Sequence, residues 1–135
     1  MAEYGKKYYQ YKHKPKKAIM FLKKHKAGAC IAAMRRDDIG DIDIIWGEND
    51  PKTNKGYGLK HIIEKHGKDI KALGFEVEDF IPIVVQFGAF DQERSTSNRR
   101  VYSNDKFRFV VVVEETVSGQ RKWLLTSFDI NKKRK

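Results

Sequence analysis

The stretch FRFVVVVEE, residues 107–115, decides the fold class of this 135-residue sequence. Successive side chains of a β-strand point to opposite faces, so Phe109 and Val111 share one face while Val110 and Val112 share the other. Both faces are apolar, which is typical of a central strand that is covered on both sides. The stretch therefore predicts a β-sheet with other elements packed over it.

Two further segments with strand character flank this stretch. They are Arg99–Ser103 and Arg121–Asp129, and the turn Val117–Gln120 joins the last two strands as a hairpin. A polar loop, 91–98, precedes the first segment. We therefore expect an antiparallel meander in the last third of the chain.

The earlier part of the chain has helical spacing. Pro15 suits the first helical position and Gly28 suits the end, so a first helix is predicted over 15–27. A second helix is predicted where apolar residues recur at i, i+3, i+4 and i+7 before Gly67. The stripe of this second helix is Leu59, Ile62, Ile63 and His66.

A β-hairpin is expected between these two helices. Residues 29–34 and 41–47 are apolar or alternating, and Asp38-Ile39-Gly40 provides the turn between them. Residues 48–56 then form a polar loop.

A third helical stripe completes the set of predicted elements. It runs from Val77 towards Gly88, and Pro82 within it indicates a kink or a late helix start. Helices first and a meander last predict the α+β class, with N-terminal helices packed on an antiparallel β-sheet meander.

Charge is distributed unevenly along the chain. The net charge is +10, but residues 1–36 carry +10 and Lys132–Lys135 add +4, so residues 37–131 are net −4. Such basic arms indicate a polyanionic partner, most simply nucleic acid, although a solvated lysine-rich surface is the alternative. We expect a single domain over 15–131, followed by a basic tail over 132–135. Residues 1–14 are expected to form a flexible, Tyr-rich leader, whose tyrosines could also stack on bases.

The composition excludes several classes of protein. Cys30 is the one cysteine, so neither an internal disulfide nor a thiolate zinc cage can form. No apolar run approaches the roughly 18 residues of a membrane span. Residues 1–7 lack the apolar stretch of a secretory signal, and we expect no membrane partner.

The spacing of the candidate metal ligands argues against a metal site. His61 and His66 are five residues apart, about 140° around a helix, so they cannot hold one ion as an i, i+4 pair does. Asp41 and Asp43 share a strand face and could orient a basic residue or bind a hard cation, but a solvated face is the commoner explanation. We expect no metal and no cofactor.

The same two histidines are candidates for acid–base chemistry near neutral pH. His66 lies on the apolar stripe and is expected to point towards the sheet as a half-buried residue. His61 lies opposite the stripe and is expected to face solvent.

Three segments resemble a known family. They are residues 14–19 (KPKKAI), 38–47 (DIGDIDIIWG) and 56–66 (GYGLKHIIEKH). Their order and spacing resemble the phage-associated branch of the barnase/EndoU/colicin/RelE-like nucleases, in which GKPxEAI is followed by IGxIDLVWG and GLxHIxxKH. Residues 123–128 (WLLTSF) are similar to that family's last strand, so the resemblance covers about residues 9–128.

This resemblance implies an α+β fold and a metal-independent endoribonuclease, often a toxin or effector domain. In such enzymes the RNA 2′-hydroxyl attacks the adjacent phosphate and leaves a 2′,3′-cyclic phosphate and a 5′-hydroxyl. The implied partners are RNA, with tRNA among the candidates, and an immunity or antitoxin protein. The implied location is the cytoplasm of the producing or target cell, after delivery within a larger toxin or phage protein.

The resemblance also implies a set of catalytic residues. His66 and His61 correspond to the histidines of the family's helix motif, and they would transfer protons. Thr126 is the strand hydroxyl that would position the phosphate, and Arg100 matches a basic strand position that would stabilise its charge.

The match departs from the family pattern before the Ile-Gly turn. Arg35 and Arg36 stand where some relatives carry histidines, and arginine cannot act as a general base. This favours a non-catalytic RNA-binding or phage-particle module as the alternative function. A protein-interaction domain that docks an acidic partner is a third hypothesis. The expected phosphate-attracting surface comprises Lys16, Lys17, Lys23, Lys24, Arg35 and Arg36.

Overall fold

A computed structural model describes residues 5–53, 55–96, 99–103, 107–115 and 121–130. Its helices are α1 (Pro15–His25), α2 (Gly58–Ala72) and α3 (Val77–Phe87). Its strands are β1 (Lys7–Tyr8), β2 (Ala29–Arg36), β3 (Gly40–Ile45), β4 (Glu48–Asp50), β5 (Lys55–Tyr57), β6 (Ala89–Phe90), β7 (Arg99–Ser103), β8 (Phe107–Glu115) and β9 (Arg121–Ile130). These elements confirm the α+β class. The predicted turn Val117–Gln120 and the tail Lys132–Lys135 lie outside the described residues.

Seven strands form one sheet in the order β1-β2-β3-β9-β8-β7-β6. Strands β6 to β9 pair antiparallel in sequence, as the predicted meander requires, and β2 pairs antiparallel with β3. Two pairings depart from an antiparallel meander, because β3 runs parallel to β9 and β1 runs parallel to β2. α2 and α3 lie between the β2–β3 hairpin and the meander in the sequence. The hairpin pairs through β3 with β9, the last strand of the meander, and not with β6, the first.

The main core lies between the helices and the sheet. It includes Ile19 and Leu22 of α1, Ile62 of α2, Val84 of α3 and Ile44 of β3, all with almost no solvent exposure. All three helices contribute to this one cluster, and burial of such side chains is the main stabilising contribution to folding.

The helices differ from the prediction at three points. α1 ends at His25 and not at residue 27, because Lys26 adopts the left-handed conformation that caps the helix. α2 continues past Gly67 to Ala72, because Ile70 extends the buried stripe by another turn. Pro82 lies inside α3, which begins at Val77, so it does not mark a late start.

A small second sheet occupies the predicted polar loop. β4 and β5 pair antiparallel there, and both contact α2. This β4–β5 hairpin covers the side of α2 that faces away from the main core.

Part of the predicted leader packs against the domain. β1 pairs with β2, and the Tyr8 ring lies 4.6 Å from the Phe21 ring between centroids. The Tyr8 hydroxyl is also 3.0 Å from Nε2 of His25 at the end of α1. From residue 5 onwards, this segment therefore has a defined place at one edge of the sheet.

None of the helices in the described part of the chain is long and apolar enough to span a bilayer.

Candidate active site

The two histidines of α2 lie on different sides of the helix. His66 is 8% exposed, so it is buried more deeply than the half-buried residue that was predicted. His61 is 6% exposed, so the prediction that it faces solvent is wrong. The β4–β5 hairpin covers His61. The sequence of this segment is polar and does not alternate clearly, so it did not predict a hairpin there.

His61 takes part in a chain of three polar side chains. Its Nδ1 lies 2.7 Å from Oδ1 of Asn49, and Nδ2 of Asn49 donates to Oε1 of Glu64 at 2.9 Å. The carboxylate of Glu64 only accepts, so it fixes the amide of Asn49 with its oxygen towards His61. Nδ1 of His61 must then donate, which places the lone pair of the neutral imidazole on Nε2.

Two glycines allow this arrangement. Gly58 begins α2 with a φ of +80°, and a Cβ there would lie 2.8 Å from the Trp46 carbonyl oxygen. Gly47 has a φ of +75°, and a Cβ there would collide with the Tyr57 carbonyl. The Lys60 N–H donates to the Trp46 carbonyl at 2.8 Å, so the end of β3 is fixed against the first turn of α2.

His66 has a carboxylate beside it. Its Nδ1 lies 3.6 Å from Oδ2 of Asp69, one turn further along α2. α2 as a whole contacts β9, the strand that contains Thr126.

Arg100 of β7 and Thr126 of β9 are separated by one strand, β8, and lie at almost the same level along the strands. Arg100 is opposite Val111, which in turn is opposite Leu125 of β9. Because strands are about 4.8 Å apart, the Cα atoms of Arg100 and Leu125 are about 10 Å apart. Thr126 is the extra residue of a bulge, since Leu125 and Ser127 pair with consecutive residues of β8. The side chain of Thr126 lies outside the described residues.

The guanidinium of Arg100 stacks on an aromatic ring. Its central carbon lies 4.9 Å from the centroid of Phe90. Arg100 and Tyr102 are two residues apart on β7 and therefore share a face of the sheet.

Arg36, one of the predicted phosphate-binding residues, is held by the protein itself. Its Nη1 donates to the carbonyls of Val85 and of Gly88, the latter at 3.0 Å. Its Nε donates to Asp38 at 3.0 Å, and its guanidinium lies 4.0 Å from the ring centroid of Tyr102. These contacts tie β2 to the end of α3 and support a structural role for Arg36.

The Tyr102 hydroxyl donates to Oδ2 of Asp38 at 2.8 Å. Burial, together with this hydrogen bond and the charge of Asp38, raises the pKa of Tyr102 to about 12. Burial would raise the pKa of Asp38, but the hydrogen bonds from Arg36 and Tyr102 outweigh it and lower the pKa. The pair is thus held as a neutral phenol and a carboxylate.

Arg35 is exposed and lines a groove of about 790 Å³ between the end of β2 and α3. His13 enters this groove from the leader, with Nε2 2.8 Å from Oδ1 of Asp41. Nη1 of Arg35 lies 3.5 Å from the same oxygen. The hydrogen bond from His13, aided by the charges of His13 and Arg35, lowers the pKa of Asp41.

The predicted surface lysines divide into paired and exposed residues. Lys16 pairs with Asp79 at 2.9 Å, and Lys23 pairs with Glu78 at 2.8 Å. Lys17 and Lys24 are exposed on α1.

The two strand aspartates do not form a cation site together. Asp43 is 5% exposed, and its Oδ1 accepts a hydrogen bond from the Ala32 N–H at 2.7 Å. Ala32 lies in a bulge of β2 with a φ of 55°, so Asp43 stabilises that bulge while Asp41 faces His13. Within the described ranges, no group of three or more His, Cys, Asp or Glu side chains is placed to hold a metal ion.

Asn49 and Glu64 are the site residues that the sequence analysis missed. Glu64 lies three residues after His61, one helical turn away, and this spacing was an available signal. Asn49 lies in the segment read as a polar loop, and its link to His61 depends on the hairpin that forms there.

Comparison with protein families supplies an independent result. The family model described as phage-Barnase-EndoU-ColicinE5/D-RelE like nuclease 1 matches residues 33–134. The match includes the segments 38–47 and 56–66, whereas residues 14–19 precede it. A search of the curated proteins returns no match, and a search of the solved structures returns none. The family match covers most of the chain, and the chain therefore belongs to this family of barnase/EndoU/colicin/RelE-type nucleases.

Proposed function

We propose that this chain is an endoribonuclease that cleaves RNA without a metal ion and leaves 2′,3′-cyclic phosphate ends. The observation that carries the proposal is the Glu64–Asn49–His61 chain on the helix motif of a nuclease family. A histidine whose tautomer is fixed in this way is suited to act as a general base.

The proposed reaction begins with proton transfer to Nε2 of His61 from the 2′-hydroxyl. The 2′-oxygen then forms a bond to phosphorus, the bond from phosphorus to the 5′-oxygen breaks, and the 5′-oxygen takes a proton from water. The hydroxide that remains takes the proton from Nε2 of His61, which restores the neutral imidazole. Arg100 would stabilise the charge that develops on the phosphate, and Thr126 would position it. His61 and His66 point to different sides of α2, so only one of them faces the reacting 2′-oxygen.

The test is incubation of the protein with total tRNA in EDTA, followed by mapping of the RNA ends. We expect discrete fragments that carry 2′,3′-cyclic phosphates. His61→Ala should abolish cleavage, while His66→Ala should retain it if folded, as checked by circular dichroism. Because both histidines are buried, Asn49→Asp serves as a milder variant. Its carboxylate still accepts from His61 but repels that of Glu64, so we expect slower cleavage by a protein that keeps the imidazole. The opposite result for the two histidine variants would assign the proton transfer to His66.

A non-catalytic RNA-binding module is the second candidate function. The near-complete burial of both α2 histidines favours it, because a general base must reach its substrate. RNA that stays intact in EDTA but is retarded on a gel would support this candidate and contradict the nuclease proposal. An immunity or antitoxin protein remains a proposed partner, and RNA is the proposed ligand in both cases.

A further inference from the structure

A groove next to the His61 side of α2 has the composition of a nucleotide-binding site. It has a volume of about 480 Å³ and lies between the end of α1 and the first turns of α2. We call it the Trp46 groove, and its lining residues are Lys23, Lys26, Trp46, Lys60, Ile63 and Glu64. We propose that this groove binds one nucleotide of single-stranded RNA, with the phosphate on Lys26 and Lys60 and the base against Trp46.

The charges in the groove favour a phosphate, because Lys26 and Lys60 together outweigh the single carboxylate of the lining, Glu64. Lys23 is compensated by Glu78 at 2.8 Å. Among the described residues, no carboxylate forms an ion pair with Lys26 or Lys60. Lys60 also lies in the first turn of α2, where the helix dipole adds positive potential. Phosphate binding by lysine is mainly a charge interaction, which needs no fixed geometry at the ammonium group.

The backbone holds these groups in place. Lys26 follows α1 in the left-handed conformation, with a φ of 61°, and its N–H donates to the Leu22 carbonyl at 2.8 Å. Trp46 is half-buried, and its carbonyl accepts from the Lys60 N–H. A half-buried indole beside two lysines has the stacking surface and the charge that single-stranded nucleic acids require.

The groove is also connected to the proposed catalytic group. Glu64 lines the groove and accepts a hydrogen bond from Asn49, which orients His61. A nucleotide in the groove would therefore lie close to the scissile position. This inference rests on the proposal that RNA is the substrate, and it adds the surface that holds the RNA.

The test measures binding separately from cleavage. The ligand is a 2′-O-methyl RNA oligonucleotide of about ten nucleotides, which lacks the attacking hydroxyl. The sequence contains two tryptophans, so Trp123→Phe leaves Trp46 as the sole indole emitter. We expect the oligonucleotide to quench this emission, and Trp46→Phe to lose the corresponding part of the quenching in the otherwise unchanged chain.

Charge variants complete the test. Lys26→Ala/Lys60→Ala should weaken binding on the order of tenfold at about 0.1 M salt and reduce the salt slope by about 0.7, as expected for the loss of one phosphate contact on a single strand. Lys68→Ala/Lys71→Ala removes the same charge from exposed positions at the other end of α2 and should change binding less than about twofold. Lys60→Arg should restore the affinity that Lys60→Ala loses.

Several outcomes would overturn the groove assignment. One is an equal loss of affinity in the two double variants, and another is a Trp46 emission that the oligonucleotide does not change. The assignment would also fail if polyglutamate at equal charge displaced the oligonucleotide, or if the unmodified chain did not bind it. Cleavage of unmodified RNA by the Lys26→Ala/Lys60→Ala protein at the original rate would leave the nuclease proposal standing and remove the groove from it. Conversely, loss of binding in that variant together with intact RNA in all assays would support the groove and contradict the nuclease.

Discussion

Gly58 shows how a single residue fixes the entry of the chain into α2. Its φ of +80° strains any other residue, and a Cβ would lie 2.8 Å from the Trp46 carbonyl oxygen. We expect Gly58→Ala to lower the free energy of unfolding by roughly 2–4 kcal/mol, measured by urea denaturation.

Gly74 offers a matched control for this prediction. Its φ is +91°, but a Cβ there has no atom within 4 Å. Gly74→Ala should therefore cost only the backbone strain, on the order of 1 kcal/mol. Equal losses in the two variants would mean that the approach of β3 to α2 contributes nothing to the cost at Gly58.

Tyr102 gives a second prediction for a single residue, which concerns alkaline pH. Burial and the hydrogen bond to Asp38 raise its pKa to about 12, whereas tyrosine in an unfolded chain ionises near 10. The stability contributed by the neutral phenol is therefore fully present below about pH 10 and is lost as pH rises to about 12.

Unfolding of Tyr102→Phe should depend less on pH over this interval than unfolding of the unmodified protein. The free energy of unfolding is measured by urea denaturation at several values of pH. Tyr9→Phe is the control, because the Tyr9 side chain is 63% exposed. A pH dependence that is identical in all three proteins would contradict the prediction.

Between elements, the Arg36 side chain connects β2 with the end of α3. Lysine in its place would lose the fork that reaches two carbonyls and the stacking on Tyr102. We expect Arg36→Lys to lower the free energy of unfolding by about 1–3 kcal/mol. Arg35→Lys alters the adjacent exposed residue and should change stability by less than about 0.5 kcal/mol. If Arg36→Lys is equally harmless, Arg36 is available for the RNA binding that the sequence suggested.

At the scale of single elements, the sequence predicted the helices and strands that have a clear local pattern of apolar residues. The apolar stripe of α2 and the strands of the meander follow from spacing alone, because helix and strand place side chains with different periods. The position of His61 could not be read in this way, since its cover comes from a hairpin of three-residue strands. The partner of Arg36 was equally hidden, because carbonyl groups leave no trace in a sequence.

On the scale of the whole molecule, β9 joins the two parts of the sheet. It pairs with β3 on one side and β8 on the other. A chain that ends at Glu115 would lack this strand and leave two open edges. We expect it to lose cooperative thermal unfolding, measured by circular dichroism, while a chain that ends at Ile130 keeps it. Cooperative unfolding of the shorter chain would show that the helices and β2–β3 form an independent unit.

The parallel pairing of β3 with β9 was also beyond prediction from the sequence. It pairs Ile42 with Trp123, two residues that are far apart in the sequence, and no local periodicity specifies such a partner. The α+β class, in contrast, follows from the order of the elements, and family membership follows from motifs within 38–47 and 56–66.

The central place of β9 also affects how the protein emerges during synthesis. A ribosome makes β3 long before it makes β9, so the two sides of the sheet stay separate while the intervening segments are translated. The proposed catalytic centre, which would draw on α2, β7 and β9, would be complete only when this strand inserts. A nascent chain that has not yet reached β9 would therefore lack a complete site, and β9 supplied as a separate peptide would be the natural part for a split, switchable form of the domain.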